Sequence, residues 1–103
     1  MWVRVARFEG GTAEGLEAEI TQSKEHLDDF DARGLPAGLE GVKRVVEGVN
    51  RAEGTGLALV FCETEEELRK ADQALNEMSP SSDAAGRRVS VGMYEVMTDH
   101  ELR

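Results

Sequence analysis

Trp2, Arg4, Phe8 and Tyr94 are the side chains best equipped to hold a small molecule. Trp2, Arg4, Ala6 and Phe8 alternate along the chain and so share one face of an extended segment. An arginine on a central strand must pair, snorkel or line a cavity, because an isolated buried charge is too costly. Glu95, on the expected last strand, is the ion-pair partner that reading suggests. Tyr94 could orient a phenolic or carbonyl ligand through its hydroxyl, and Trp2 and Phe8 could supply flat apolar walls. Trp2 and Phe8 also suit ordinary core or interface packing, and Tyr94 a dimer interface.

Other reactive residue types are thin. His26 and His100 are the only histidines and belong to different elements, so no metal-ligand spacing exists. Cys62 is a nucleophile only with a depressed pKa, and Glu63, Glu65, Glu66 and Glu67 oppose thiolate formation. It reads as a small core residue. Gly10-Gly11-Thr12 lacks the lysine and the spacing of a phosphate loop. No Ser-His-Asp set or carboxylate pair can be assembled. The expectation is a protein with no cofactor and no metal.

The elements that position these residues follow from periodicity. Residues 2–8 alternate and are rich in strand formers. Thr12 caps a helix whose stripe is Leu16, Ile20, Ser23, Leu27 and Phe30, and Gly34-Leu35-Pro36 stops it. Residues 41–51 read as a strand with Gly48 as its bulge, and residues 52–55 as a hairpin turn. Residues 56–63 form the most apolar strand. Thr64 and Glu67 then make a capping box for a helix with the stripe Leu68, Ala71, Leu75 and Met78. Residues 79–83 read as a loop, 87–97 as the last strand, and 98–103 as a loose polar tail. The order β-α-β-β-α-β is that of a ferredoxin-like plait: an α+β domain over residues 1–103, both helices on one face of an antiparallel sheet, strands one and three central.

Composition bounds the partners. The 103 residues, 40% hydrophobic and 32% charged, suit one folded domain. No apolar run approaches the roughly 20 residues of a bilayer span, and no charged-then-apolar leader opens the chain. A single cysteine points to the reducing cytoplasm. With 21 acidic and 12 basic residues the net charge is −9, which disfavours nucleic acid and anionic membranes. That charge is concentrated in residues 13–31 and 65–78, as expected of a solvated helical layer, with docking of a basic partner as the other reading.

The strands are apolar on both sides. Leu57, Leu59 and Phe61 oppose Ala58, Val60 and Cys62, and Val3 and Val5 oppose Trp2, Ala6 and Phe8. Which set looks at the helices is open, since a one-residue shift exchanges them. Either way one apolar face lacks a cover, and the expected cover is a second copy, giving a homodimer through the helix-free sheet face.

The runs W-V-R-V-A-R-F-E-G from Trp2, G-L-E-G-V from Gly38, V-N-R-A-E-G-T-G-L-A-L-V-F-C-E-T-E-E-E-L from Val49 and R-V-S-V-G-M-Y-E-V from Arg88 carry a resemblance. Together they resemble the dimeric α/β-barrel superfamily, nearest to its small antibiotic-biosynthesis-monooxygenase-like domains. The resemblance implies the plait, a sheet-to-sheet dimer and a small-molecule cleft. It extends to activities as different as cofactor-free oxygenation and haem degradation, so the fold it implies does not select a reaction. Two positions depart from the pattern. Cys62 stands where such domains commonly carry tryptophan, and residues 69–86 hold no histidine for a haem iron.

Two function classes follow. One is a binding protein for a small apolar or aromatic molecule held between sheet and helices, with a cofactor-free monooxygenase as its sharpest form. The other is a non-catalytic homodimeric interaction module.

Overall fold

The computed structural model describes residues 1–78 and 86–103, so the loop expected over residues 79–83 lies outside the described residues. Six elements run in the order β1 (Trp2–Glu9), α1 (Ala13–Arg33), β2 (Val42–Asn50), β3 (Thr55–Cys62), α2 (Glu65–Glu77) and β4 (Arg87–Glu95). All strand pairs are antiparallel, in the order β2-β3-β1-β4, with β1 and β3 central. This is the ferredoxin-like α+β arrangement.

Local chemistry sets the element ends. Thr12 Oγ1 accepts from the Gly15 amide at the start of α1, and Gly34, at φ 90°, donates back to the Phe30 carbonyl at its end. The β2–β3 turn closes with Gly54 at φ 71°, its amide on the Asn50 carbonyl. α2 opens with the complete capping box: Thr64 accepts from the Glu67 amide and the Glu67 carboxylate accepts from the Thr64 amide.

Cross-strand register settles the two faces. Ala6 pairs with Ala58 and Val91, and Arg4 with Val60 and Met93. Val60 and Cys62 pack with Leu39, Leu68 and Ala71 in one buried cluster, so the set Ala58, Val60, Cys62 looks at the helices. Val3, Val5, Val46, Leu57, Leu59, Phe61 and Tyr94 therefore occupy the opposite face, over which the described residues lay no second layer.

Several expectations need correction. The β2 bulge falls between Val42 and Arg44, not at Gly48, which pairs in step with Leu57. The extra residue there is Lys43, which is exposed. Met78 is the C-cap of α2 and is exposed rather than core, because the helix ends one residue earlier. β4 ends at Glu95 rather than Met97, with one further bond from the Val96 amide to the Met1 carbonyl.

The core lies mainly beneath α2. That helix buries Leu68 and Ala71 completely, and the α1–β2 connection adds Leu39. This connection runs close against α2: a side-chain carbon on Gly38, itself at φ 90°, would lie 2.8 Å from Ala74 Cβ. α1 fully buries only Leu16. Ile20, Ser23, Leu27 and Phe30 stay half-buried, so one helix is seated and the other stands off the sheet.

Candidate functional site

The space beneath α1 is the candidate site. A cleft of about 490 Å³ runs between α1 and the β1–β3–β2 half of the sheet. Phe8, Ile20, Leu27, Val45 and Ala58 are among its apolar walls. Helical spacing brings Leu16, Ile20, Ser23 and Leu27 to one side of α1, and strand alternation brings Val45, Glu47 and Val49 to the helix face of β2. Gly56 opens the floor. A side-chain carbon there would touch Phe8 Cβ at 3.8 Å and Val49 Cγ1 at 3.9 Å, which are ordinary contacts. The sheet is thus left bare where a larger residue would fit. Glu19, Lys24 and Glu47 supply the ionisable groups, and Ser23 a hydroxyl.

The start of α1 is tied to the β2–β3 hairpin. Gly11 donates its backbone amide to the Gly54 carbonyl at 2.9 Å, and Arg51 in the hairpin pairs with Glu17 on α1. The Gly11 amide is therefore committed to the chain.

The structure separates the four residues singled out by type. Phe8 lines the cleft. Trp2 lies on the same sheet face but packs against the cluster under α2. Arg4 is only 4% exposed and is spoken for: its Nε donates to Asp72 Oδ1 at 2.8 Å and its terminal nitrogen to Asn76 Oδ1 at 3.1 Å. Glu95, the partner suggested by strand adjacency, is not bonded to it. α2 reaches the guanidinium from above, whereas Glu95 sits opposite Trp2 in the β1–β4 ladder. Asn76 also accepts from Arg88 and donates to Asp72, closing a four-residue network. Tyr94 lies on the opposite face of the sheet, 58% exposed, its ring folded back over Gly92.

Comparison with known protein families, with characterised proteins and with solved structures found no match. The chemistry must be read from the residues themselves.

Cys62 is fully buried, and burial, then the Glu67 carboxylate, push its thiol above the ordinary range. Among the described residues no cluster of His, Cys, Asp and Glu side chains has the arrangement of a metal site, and no helix is long and apolar enough to cross a membrane. His26 is exposed on α1 and His100 in the segment after β4.

Two signals for this geometry were present in the sequence. Ser23 interrupts the apolar stripe of α1, which marks that helix as incompletely buried. Leu68, Asp72 and Asn76 recur every four residues and so share a side of α2, which marks polar groups aimed near the core. The cleft walls from β2, Val45, Glu47 and Val49, take their face from the ladder with β3, whose own facing no local signal set.

Proposed function

We propose that the chain binds a small apolar or aromatic molecule in the cleft beneath α1, and works as a homodimer joined through the helix-free sheet face. The observation that carries the reading is the cleft itself. Its volume falls within the roughly 300–1,000 Å³ of ligand sites, and its walls are mostly apolar with a few polar groups at the edge. The dimer reading rests on the half-buried Val3, Val5, Val46, Leu59 and Phe61, with the more exposed Leu57 and Tyr94 beside them. A net charge of −9 argues against nucleic acid as the partner, and a single buried thiol suits a reducing, cytoplasmic setting.

The resemblance to antibiotic-biosynthesis-monooxygenase-like domains extends the proposal to a reaction. In that form the ligand is an electron-rich phenol that reacts directly with dioxygen, one oxygen atom entering the ring to give a quinone and the other leaving as water, while a cleft carboxylate serves as the base that takes the phenolic proton. A non-catalytic homodimeric structural or interaction module is the second reading, favoured by a cleft lining that, among the described residues, holds no histidine, cysteine or tyrosine.

Titration with the neutral fluorophore N-phenyl-1-naphthylamine tests the binding claim. Saturable binding is expected, abolished by Gly56→Val and retained by Leu59→Thr on the opposite face. Absence of saturable binding, or its survival in a folded Gly56→Val variant, overturns the cleft. Oxygen uptake with bound phenols then separates enzyme from module.

A further inference from the structure

The polar groups at the cleft edge are unevenly charged, and that imbalance bears on which molecules the site accepts. Glu47 projects from the helix face of β2, opposite Ala58 in the ladder, and Lys24 comes from α1. Both are exposed, which puts them where the cleft meets water. The ion pairs among the described residues are Arg4–Asp72, Arg33–Asp29, Arg51–Glu17 and Arg69–Glu65, so Glu47 and Lys24 are paired neither with each other nor elsewhere. Glu19 lines the cleft from the other flank of the α1 stripe, about 140° around the helix from Lys24, and is already partnered. Among the described residues that line the cleft, two carboxylates therefore stand against one ammonium. Over its length α1 carries six further acids against one further basic residue, Arg33. In a concave site with apolar walls such a charge set gives a negative potential that attracts cations and repels anions.

Resting on the cleft reading, we propose that the site is selective for apolar amines, with Glu47 as the residue that takes the ammonium group. The ligand's apolar body lies between Ile20 and Leu27 of α1 and Phe8 and Val45 of the sheet. Its cationic end stays at the edge, where the Glu47 carboxylate accepts its hydrogen bond and water completes its solvation. A charge at that position is not forced into the apolar interior, so the attraction is not cancelled by desolvation. A ligand of the same shape bearing a carboxylate meets the negative potential of the cleft and binds more weakly. Lys24 limits the preference, since its own ammonium competes for the same carboxylate.

A matched series tests this: 2-naphthylmethylamine, 2-naphthylmethanol and 2-naphthoate, each displacing N-phenyl-1-naphthylamine at pH 7 and low salt. The amine is expected to bind at least tenfold more tightly than the naphthoate. Glu47→Gln should lower amine affinity to that of the alcohol and leave the alcohol unchanged, while Lys24→Gln should raise amine affinity. Equal or tighter binding of the naphthoate overturns the proposal, as does an amine affinity indifferent to Glu47→Gln. A chain that binds the alcohol but shows no charge preference fails here alone. One that binds none of the three, nor the fluorophore, removes the cleft reading and this proposal with it.

Discussion

Arg4 on the central strand β1 and Asp72 on α2, 68 positions apart in sequence, meet through a 2.8 Å hydrogen bond that pins the helix to the sheet. The guanidinium side chain is 5% exposed and the carboxylate 23%, so the arginine depends on this partner while the aspartate keeps some water. Removing one partner of such a pair strands a buried charge. Asp72→Ala should cost about 3 kcal/mol, the lower end for a broken buried pair because Asn76 still accepts from Arg4. The double change Arg4→Met, Asp72→Leu should recover most of that loss. Urea unfolding of the single and double variants measures both, and a near-neutral Asp72→Ala would show that the bond holds nothing.

The two helices should respond unequally to truncation. Leu68 is fully buried under α2, and Leu68→Ala should cost about 2–5 kcal/mol through lost transfer energy and the cavity left behind. Ile20, half-buried on the open side of α1, should cost less than half as much when changed to alanine. Native-state hydrogen exchange should rank the amides of α1 as faster than those of α2. Equal protection would mean that α1 is seated as firmly as α2.

The homodimer proposal makes opposite predictions for adjacent residues of β3. Val60 is 6% exposed within the core, and Val60→Asp should unfold the domain at any concentration. Leu59 lies on the helix-free face, and Leu59→Asp should yield a folded chain that sediments at 11.3 kDa. The unmodified chain should sediment at twice that mass at micromolar concentration and melt at lower temperature on dilution. A wild-type monomer with a dilution-independent melting temperature rules the dimer out.

Cys62 should be inert in the folded state. Its thiol is buried and its pKa is raised by burial and by Glu67, so the reactive thiolate is scarce even in mild alkali. Iodoacetamide at pH 8 should leave the native chain unmodified and label it fully in urea. Rapid native labelling would contradict the burial.

The order of elements and their caps were readable because each rests on neighbours in sequence: Thr64 with Glu67, Thr12 with Gly15, Gly34 at the end of α1. What remained open was set by partners far along the chain. Trp2, Arg4 and Phe8 share a sheet face as alternation required, yet α2 claims the first two and only Phe8 reaches the cleft. Tyr94 falls on the other face because it pairs with Val3, a register that no local pattern of β4 specifies. Both faces of β3 are apolar, so hydrophobic alternation could not say which of Leu59 and Val60 points to the helices. The cleft was the least readable feature, since it arises from what α1 fails to bury.

Charge segregation between the layers has an electrical consequence. α1 carries seven acids against two basic residues and α2 five against two, while the remainder of the chain is close to neutral. Because both helices lie on one side of the sheet, a single chain carries a permanent dipole along the sheet normal. Two chains related by a two-fold axis and joined sheet to sheet would cancel these dipoles, leaving an object with two negative poles and little net moment along that normal. Dielectric relaxation would therefore distinguish the assembled from the single chain by a collapse of the moment, independently of mass.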